Sequence, residues 1–374
     1  MSTRRRPVSF LLISVCSLAF SLLSGCGSNN SKACAGSDCC GPADACPAPM
    51  FLIADEINGQ ISVFPALGAL GSPVSVSGPP QSLGMASLGN EFVYATNPVP
   101  LSGSSIDGWS FQPGTGQLAP LSGSPFTIGL FSVAGELAAN NSAQVLYVAD
   151  AGKIDALAAN SMGALTALPG SPFSAGTGLG VTIDSGNRFV YSTDTTPPGN
   201  VYAFTTDSTG ALTAVAGSPY AVGTNPLTSA DPSQIVVDTF GKFVFATLTA
   251  TNQVAAFSID QSSGALTPVP GSPFAAGNGP IGMATVDNLL YVCNTLDGTV
   301  SGYTIDSTSG VLTPAAGSPF PVSAGALATN PGANLYASTA QGIVTYSINV
   351  STGALTQAGP PVASPGASVL IFVF

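Results

Sequence analysis

Gly123-Ser124-Pro125-Phe126, Gly170-Ser171-Pro172-Phe173, Gly271-Ser272-Pro273-Phe274 and Gly317-Ser318-Pro319-Phe320 are four copies of one phrase. Gly71-Ser72-Pro73-Val74 and Gly217-Ser218-Pro219-Tyr220 are variants, and Gly359-Pro360-Pro361-Val362 is a worn seventh copy. Their glycines stand 52, 47, 47, 54, 46 and 42 residues apart. Self-similarity at this period marks a fold assembled from repeated units.

Working outward, each phrase follows a hairpin such as Phe257-Ser258-Ile259-Asp260 with Gly264-Ala265-Leu266-Thr267. Ahead of each hairpin runs an aromatic strand: 51–55, 92–97, 145–150, 189–194, 243–248, 289–294 and 334–339. From the second unit on, a further apolar strand precedes, as in Val181-Thr182-Ile183-Asp184. A unit is therefore four short strands rich in Val, Ile, Tyr and Phe, split by Gly, Asp, Asn and Pro. Four strands in about 45 residues is the size of one propeller blade. Many strands are apolar without strict alternation, as a blade covered on both faces requires. Proline in the outermost strand fits an edge position.

The first unit opens at Phe51 and lacks an inner strand, while Ser368–Phe374 is an apolar strand with no unit after it. Placing 368–374 inside the first blade closes the ring and hides a sheet edge. The expected fold is all-β, a seven-bladed β-propeller of four-stranded blades over residues 50–374.

Composition bounds the chemistry. Of 374 residues only 7 are Lys or Arg and 18 Asp or Glu, 7% charged, with a net charge of −11 and no histidine. Histidine-dependent triads and histidine metal sites are excluded. A net negative chain lacks the cations that nucleic acid requires. The 45% hydrophobic content excludes a disordered chain.

Residues 1–25 have the layout of an export signal: Arg4, Arg5 and Arg6, then an apolar run from Phe10 to Leu23, too short to span a bilayer. Leu23-Ser24-Gly25-Cys26 resembles the lipobox of bacterial lipoproteins. That resemblance implies cleavage before Cys26, lipid on its sulfur and amine, and a chain tied to the membrane of the cell envelope. For a Gram-negative lipoprotein the resemblance further implies the outer membrane, since Gly27 and not an aspartate follows Cys26. Cleavage would remove three basic residues and no acidic one, leaving −14. Residues 26–49 read as a flexible tether. Its Cys34, Cys39, Cys40 and Cys46 suit two disulfides of undetermined pairing, with a metal site as the alternative. Cys293, within an apolar strand, is expected as a buried free thiol.

The phrases Phe92-Val93-Tyr94-Ala95-Thr96-Asn97, Gly264-Ala265-Leu266-Thr267-Pro268 and Gly-Ser-Pro-Phe resemble the lactonase-like seven-bladed propellers and their Tyr-Val-Thr-Asn repeat relatives. The resemblance covers about residues 50–374. It implies a propeller and a family that includes phosphogluconolactonases. Family enzymes are thought to use Arg and His with carboxylates in the channel, and no such residue carries over position by position.

In a propeller, the loops from outer to next inner strand and from second to third strand share the ligand-binding face. Lys153 falls in such a loop; Arg188 and Lys242 fall in turns on the opposite face. A phosphorylated lactone needs several cations on its phosphate, so it is disfavoured. Most second strands end in a polar residue: Asp55, Asn97, Asp150, Asp194 and Asn294, with Thr339 in the last and Leu248 breaking the series. These read either as oxygen ligands for sugar hydroxyls, or for Ca²⁺ at Asp55, Asp150 and Asp194, or as hairpin-starting turn residues. Asp207, Asp260 and Asp306, before the outer hairpins, and Asp184 and Asp238 are turn residues. Trp109 is assigned to packing between blades. Glu136 aligns with Gly180 and Gln234 at the start of an inner strand, beside the channel. An isolated carboxylate in apolar surroundings has a raised pKa and suits a general base, with Lys153 or backbone N–H groups steadying an oxyanion. The alternative is a solvated carboxylate at the rim. Serines have no histidine to activate them.

Three functions follow as expectations. The first is a monomeric, envelope-anchored propeller binding a protein or small carbohydrate-like ligand. The second is a hydrolase of unphosphorylated lactones. The third is a calcium-dependent binder.

Overall fold

A computed structural model describes residues 50–373 except 56–59, 68, 71–73, 78–81, 98–102, 114, 130–133, 151, 224–226, 228, 332 and 364–366. Cys26, Cys34, Cys39, Cys40 and Cys46 lie outside the described residues, as do the side chain of Asp55 and residues 1–25.

The described residues form seven antiparallel sheets and no helix. Each sheet is one blade, read from the centre outward. Blade 3, for example, runs Ala134–Asn140, Val145–Asp150, Lys153–Ala159 and Leu165–Ala167. Blade 1 takes its inner strand from the other end of the chain: Ala367–Val373 pairs antiparallel with Met50–Asp55, setting Leu52 opposite Ile371. The ring closes as the two chain ends predict.

The repeated phrase proves to be a break in the outer strand. In blade 3 the third strand pairs first with Leu165–Ala167 and then with Phe173–Ser174. Between them the chain loops out, and an unpaired third-strand N–H would cost a hydrogen bond there. The serine supplies the missing acceptor. Ser171 Oγ takes the N–H of Ala156 at 2.9 Å. Ser124, Ser218, Ser272 and Ser318 take those of Gly108, Ala203, Ala256 and Gly302 in the same way. The five glycines ahead of these serines have φ between 84° and 91°, a region closed to most side chains. The Ser-Pro bonds in these five phrases are cis.

The apolar side chains are not gathered in one centre. They form seven clusters, one at each junction between neighbouring blades. Leu146, Val148 and Leu157 of blade 3 meet Leu88 and Tyr94 of blade 2, while Val145, Tyr147 and Ile154 face Val181 and Phe204 of blade 4. Alternate residues of one strand thus enter different clusters, and both faces stay apolar. Trp109 lies in the cluster between blades 1 and 2.

A polar contact recurs within these junctions. The buried tyrosine of one second strand donates to the glycine carbonyl in the outer hairpin of the next blade. Tyr94, Tyr147, Tyr191 and Tyr291 reach Gly163, Gly210, Gly264 and Gly353 at 2.7 to 3.1 Å. Blade 5 has Phe245 in that position.

Candidate functional site in the central channel

The inner strands of all seven blades surround a cavity of about 780 Å³. Its wall combines Leu, Ile, Val and Gly with the hydroxyl residues Ser82, Thr182, Ser233, Thr295, Ser323, Ser338 and Thr339. Among the described residues that line it, Glu136 is the only charged one.

Glu136 reaches the channel through a β-bulge. Pairing with the second strand shifts register between Ala134 and Leu137, which re-aims the residue between them. Gln234 sits on a like bulge in blade 5, between Pro232 and Ile235. Gly180 of blade 4 lies between them in the ring. A Cβ built on Gly180 would stand 2.4 Å from the carbonyl oxygen of Ser233, so the inner strands meet there backbone to backbone.

Four blades are linked through these groups. The N–H of Val181 donates to Glu136 Oε2 at 3.2 Å. The N–H of Glu136 donates to the carbonyl of Leu179 at 2.8 Å. Gln234 Oε1 accepts the N–H of Met283 in blade 6. Its amide nitrogen is thereby left to donate, and a Gln234 side-chain hydrogen bond reaches Glu136. Burial in the wall pushes the Glu136 carboxyl from 4.5 up to about 8, against the pull of the Gln234 and Val181 bonds. The group is half-buried, with its remaining surface toward the cavity. A carboxyl of this pKa exchanges a proton near neutral pH, as acid–base catalysis requires.

Residues 92–360 match the family described as lactonase, 7-bladed β-propeller. The chain belongs to that family. The fold is also that of solved relatives. A proposed 6-phosphogluconolactonase from Bacteroides uniformis is 20% identical, with TM-score 0.73, covering 87% of this chain and 100% of its own. A second, from Bacteroides fragilis, is 19% identical with TM-score 0.72, covering 89% and 100%. The periplasmic gluconolactonase of Pseudomonas aeruginosa is 16% identical with TM-score 0.70, covering 87% and 99%. No curated protein matches the chain.

In this lactonase-family propeller, Lys153 does not line the cavity with Glu136. It opens the third strand of blade 3, opposite Asp150, and its ammonium lies 2.8 Å from Asp150 and 3.2 Å from Asp155. Burial pulls its pKa down, but the two carboxylates outweigh burial and hold it above the usual lysine value. Asp155 is itself raised, because burial outweighs the attraction of Lys153. The ammonium is thus committed to a local cluster.

The polar strand ends divide similarly. Among the described members of that series, only Thr339 lines the cavity. Asn97 donates to Asp107 at 3.2 Å. Asn294 accepts from Gly277 N–H and donates to Thr299 and Ser301. Asp194 takes the N–H groups of Thr177 and Thr196 and the amide of Asn200. Burial acts to raise the Asp194 pKa, yet these hydrogen bonds prevail and lower it. The strand ends organise their own loops, as turn residues do. Among the described residues, no three of Cys, Asp and Glu gather as a metal site would need. Cys293 is buried and free, its thiol pushed up to about 12 by burial.

Arg188 and Lys242 bridge blades away from the channel. Arg188 bonds Asp184 in its own turn and Gln261 in blade 5. Asp184 and Asp238 each take backbone N–H groups of their turns. Glu136 was legible as the one carboxylate in a column that holds Gly180 and Gln234. Its tie to Gln234 was not, because a bulge that turns a side chain inward leaves no mark on the apolar pattern. Asp155 was likewise missed; its place two residues after Lys153 on one strand face was the available signal.

Proposed function

We propose that this propeller binds a small uncharged ligand of the lactone class in its channel, beside Glu136. The observation that carries the reading is the cavity wall itself: among the described residues it holds one carboxyl, no cation, and a mix of apolar side chains and neutral polar groups. A phosphate would find no Lys or Arg there among the described residues. In this reading the chain acts in the cell envelope, held by lipid on Cys26. The Leu23-Ser24-Gly25-Cys26 motif supports that address. Calorimetric titration of the full chain with phosphorylated and unphosphorylated lactones tests the binding. Preference for the phosphorylated compounds would sink it. Cys26→Ala should abolish labelling by a radioactive fatty acid.

A second reading, hydrolysis of the bound lactone, is favoured by the position of Glu136 and its pKa near 8. As carboxylate, Glu136 takes a proton from a water whose oxygen adds to the lactone carbonyl. The tetrahedral adduct collapses with cleavage of the ring C–O bond, and the proton passes from Glu136 to the departing ring oxygen. Turnover of an unphosphorylated lactone that Glu136→Gln abolishes would establish this step; binding without turnover would leave a pure binding protein.

A further inference from the structure

The channel wall narrows the chemistry of its occupant. Leu83 is 42% exposed and Ile281 40% exposed, and both side chains line the cavity. Large apolar groups left open to water in a concave site mark a surface that a ligand covers. Their placement relates them to the carboxyl. Leu83 precedes Gly84, where an added Cβ would lie 2.6 Å from the Cα of Glu136. Ile281 lies two residues before Met283, whose N–H holds Gln234. The two residues thus stand in the same wall as the Glu136–Gln234 connection, on the neighbouring blades 2 and 6.

Three of the wall hydroxyls are turned to the protein's own backbone. Ser82 donates to the Gly84 carbonyl at 3.3 Å, Thr295 to Gly279 at 3.0 Å and Thr339 to Gly342 at 2.7 Å. A polyhydroxylated ligand needs a partner for each hydroxyl it brings out of water, and leaving several unmatched is costly. Ser82, Thr295 and Thr339 already have partners in the protein. A ligand with one polar ring and an apolar remainder matches the part of the wall that holds Glu136, Leu83 and Ile281.

Building on the channel-binding reading above, we infer that the ligand is an uncharged lactone carrying an alkyl substituent, its ring beside Glu136 and its chain against Leu83 and Ile281. The raised pKa of Glu136 agrees with this, since at neutral pH the carboxyl is largely protonated and offers a donor to a lactone oxygen. The alkyl chain supplies affinity by covering exposed apolar surface, and the single acid fixes the orientation of the ring.

The test uses the full chain and two probes, γ-nonanolactone and glucono-1,5-lactone, followed by isothermal calorimetry at pH 7. γ-Nonanolactone is expected to bind the more tightly. Leu83→Ser and Ile281→Ser, both at partly exposed positions that leave the junction clusters intact, should each weaken it about tenfold. Circular dichroism confirms that each variant remains folded. Tighter binding of glucono-1,5-lactone would overturn the alkyl assignment while leaving the channel-binding reading standing. Binding of neither probe would overturn both. Unchanged γ-nonanolactone affinity in both serine variants would place the chain elsewhere and overturn the inference.

Discussion

The hydroxyl of Tyr147 donates to the carbonyl of Gly210, 2.7 Å away and one blade further round the ring. Both partners come from the repeat, so one sequence feature fastens several junctions. Tyr147→Phe should cost about 1–2 kcal/mol, since the buried Gly210 carbonyl loses its partner. Urea denaturation followed by tryptophan fluorescence measures this, and an unchanged midpoint would deny the contact a role.

Blade 5 offers the converse experiment. Phe245 stands where blades 2, 3, 4 and 6 have the donating tyrosine, and Gly310 of blade 6 stands where the acceptor glycine lies. Phe245→Tyr should gain about 0.5–1.5 kcal/mol by supplying the fifth hydroxyl. A destabilised variant would mean that this junction is packed too closely for an added oxygen.

The serine of the repeated phrase has a checkable duty. Ser171→Ala leaves the Ala156 N–H without its acceptor at the break in the outer strand. The expected loss is about 1–3 kcal/mol. Hydrogen exchange should show faster exchange at Ala156, with little change at the inner strand of the same blade. Uniform acceleration across the blade would point to a general loss of packing instead.

Deleting Ser368–Phe374 should harm more than its own blade. Leu370 packs in the cluster between blades 7 and 1, while Val369 and Ile371 pack in the one between blades 1 and 2. Each large apolar side chain contributes roughly 1.5–3 kcal/mol when buried. Removal opens two junctions and bares the edge of Met50–Asp55. The truncated chain should melt well below the parent and aggregate; an equal melting temperature would refute closure by these residues.

Fold and site differ in how far the sequence reveals them, for a physical reason. Most blades use the same parts, so the Tyr94–Gly163 contact recurs at four junctions and the Ser171–Ala156 contact in five blades, and both leave a periodic trace. The orphan strand at 368–374 could be placed because the first unit lacked its inner strand. The channel site breaks the repeat. Glu136 stood out as the odd residue in its column, but its link to Gln234 depends on two bulges and on a glycine between them. Lys153 was near the channel mouth by loop counting, yet Asp155 on the same strand face draws its ammonium into a local pair. Loop counting assigns a face of the ring and says nothing of where a flexible side chain ends.

Glu136 also makes stability depend on pH, with a sign that follows from its raised pKa. The folded state holds the proton up to about pH 8, whereas the unfolded chain releases it near the ordinary value of 4.5. Between those limits the native state binds more protons than the unfolded state. Stability contributed by the protonated carboxyl is therefore fully present below pH 4.5 and declines as pH rises toward 8. Glu136→Gln keeps the size and a polar amide but cannot ionise. Melting temperatures of both proteins at pH 5, 7 and 9 should show the parent losing ground relative to the variant across this range. If hydrolysis occurs, its rate should climb through the same interval, because the base must be ionised to accept a proton from water. Parallel melting curves at all three pH values would mean that Glu136 titrates as an ordinary solvated carboxylate, and the proton-transfer role would fall with that result.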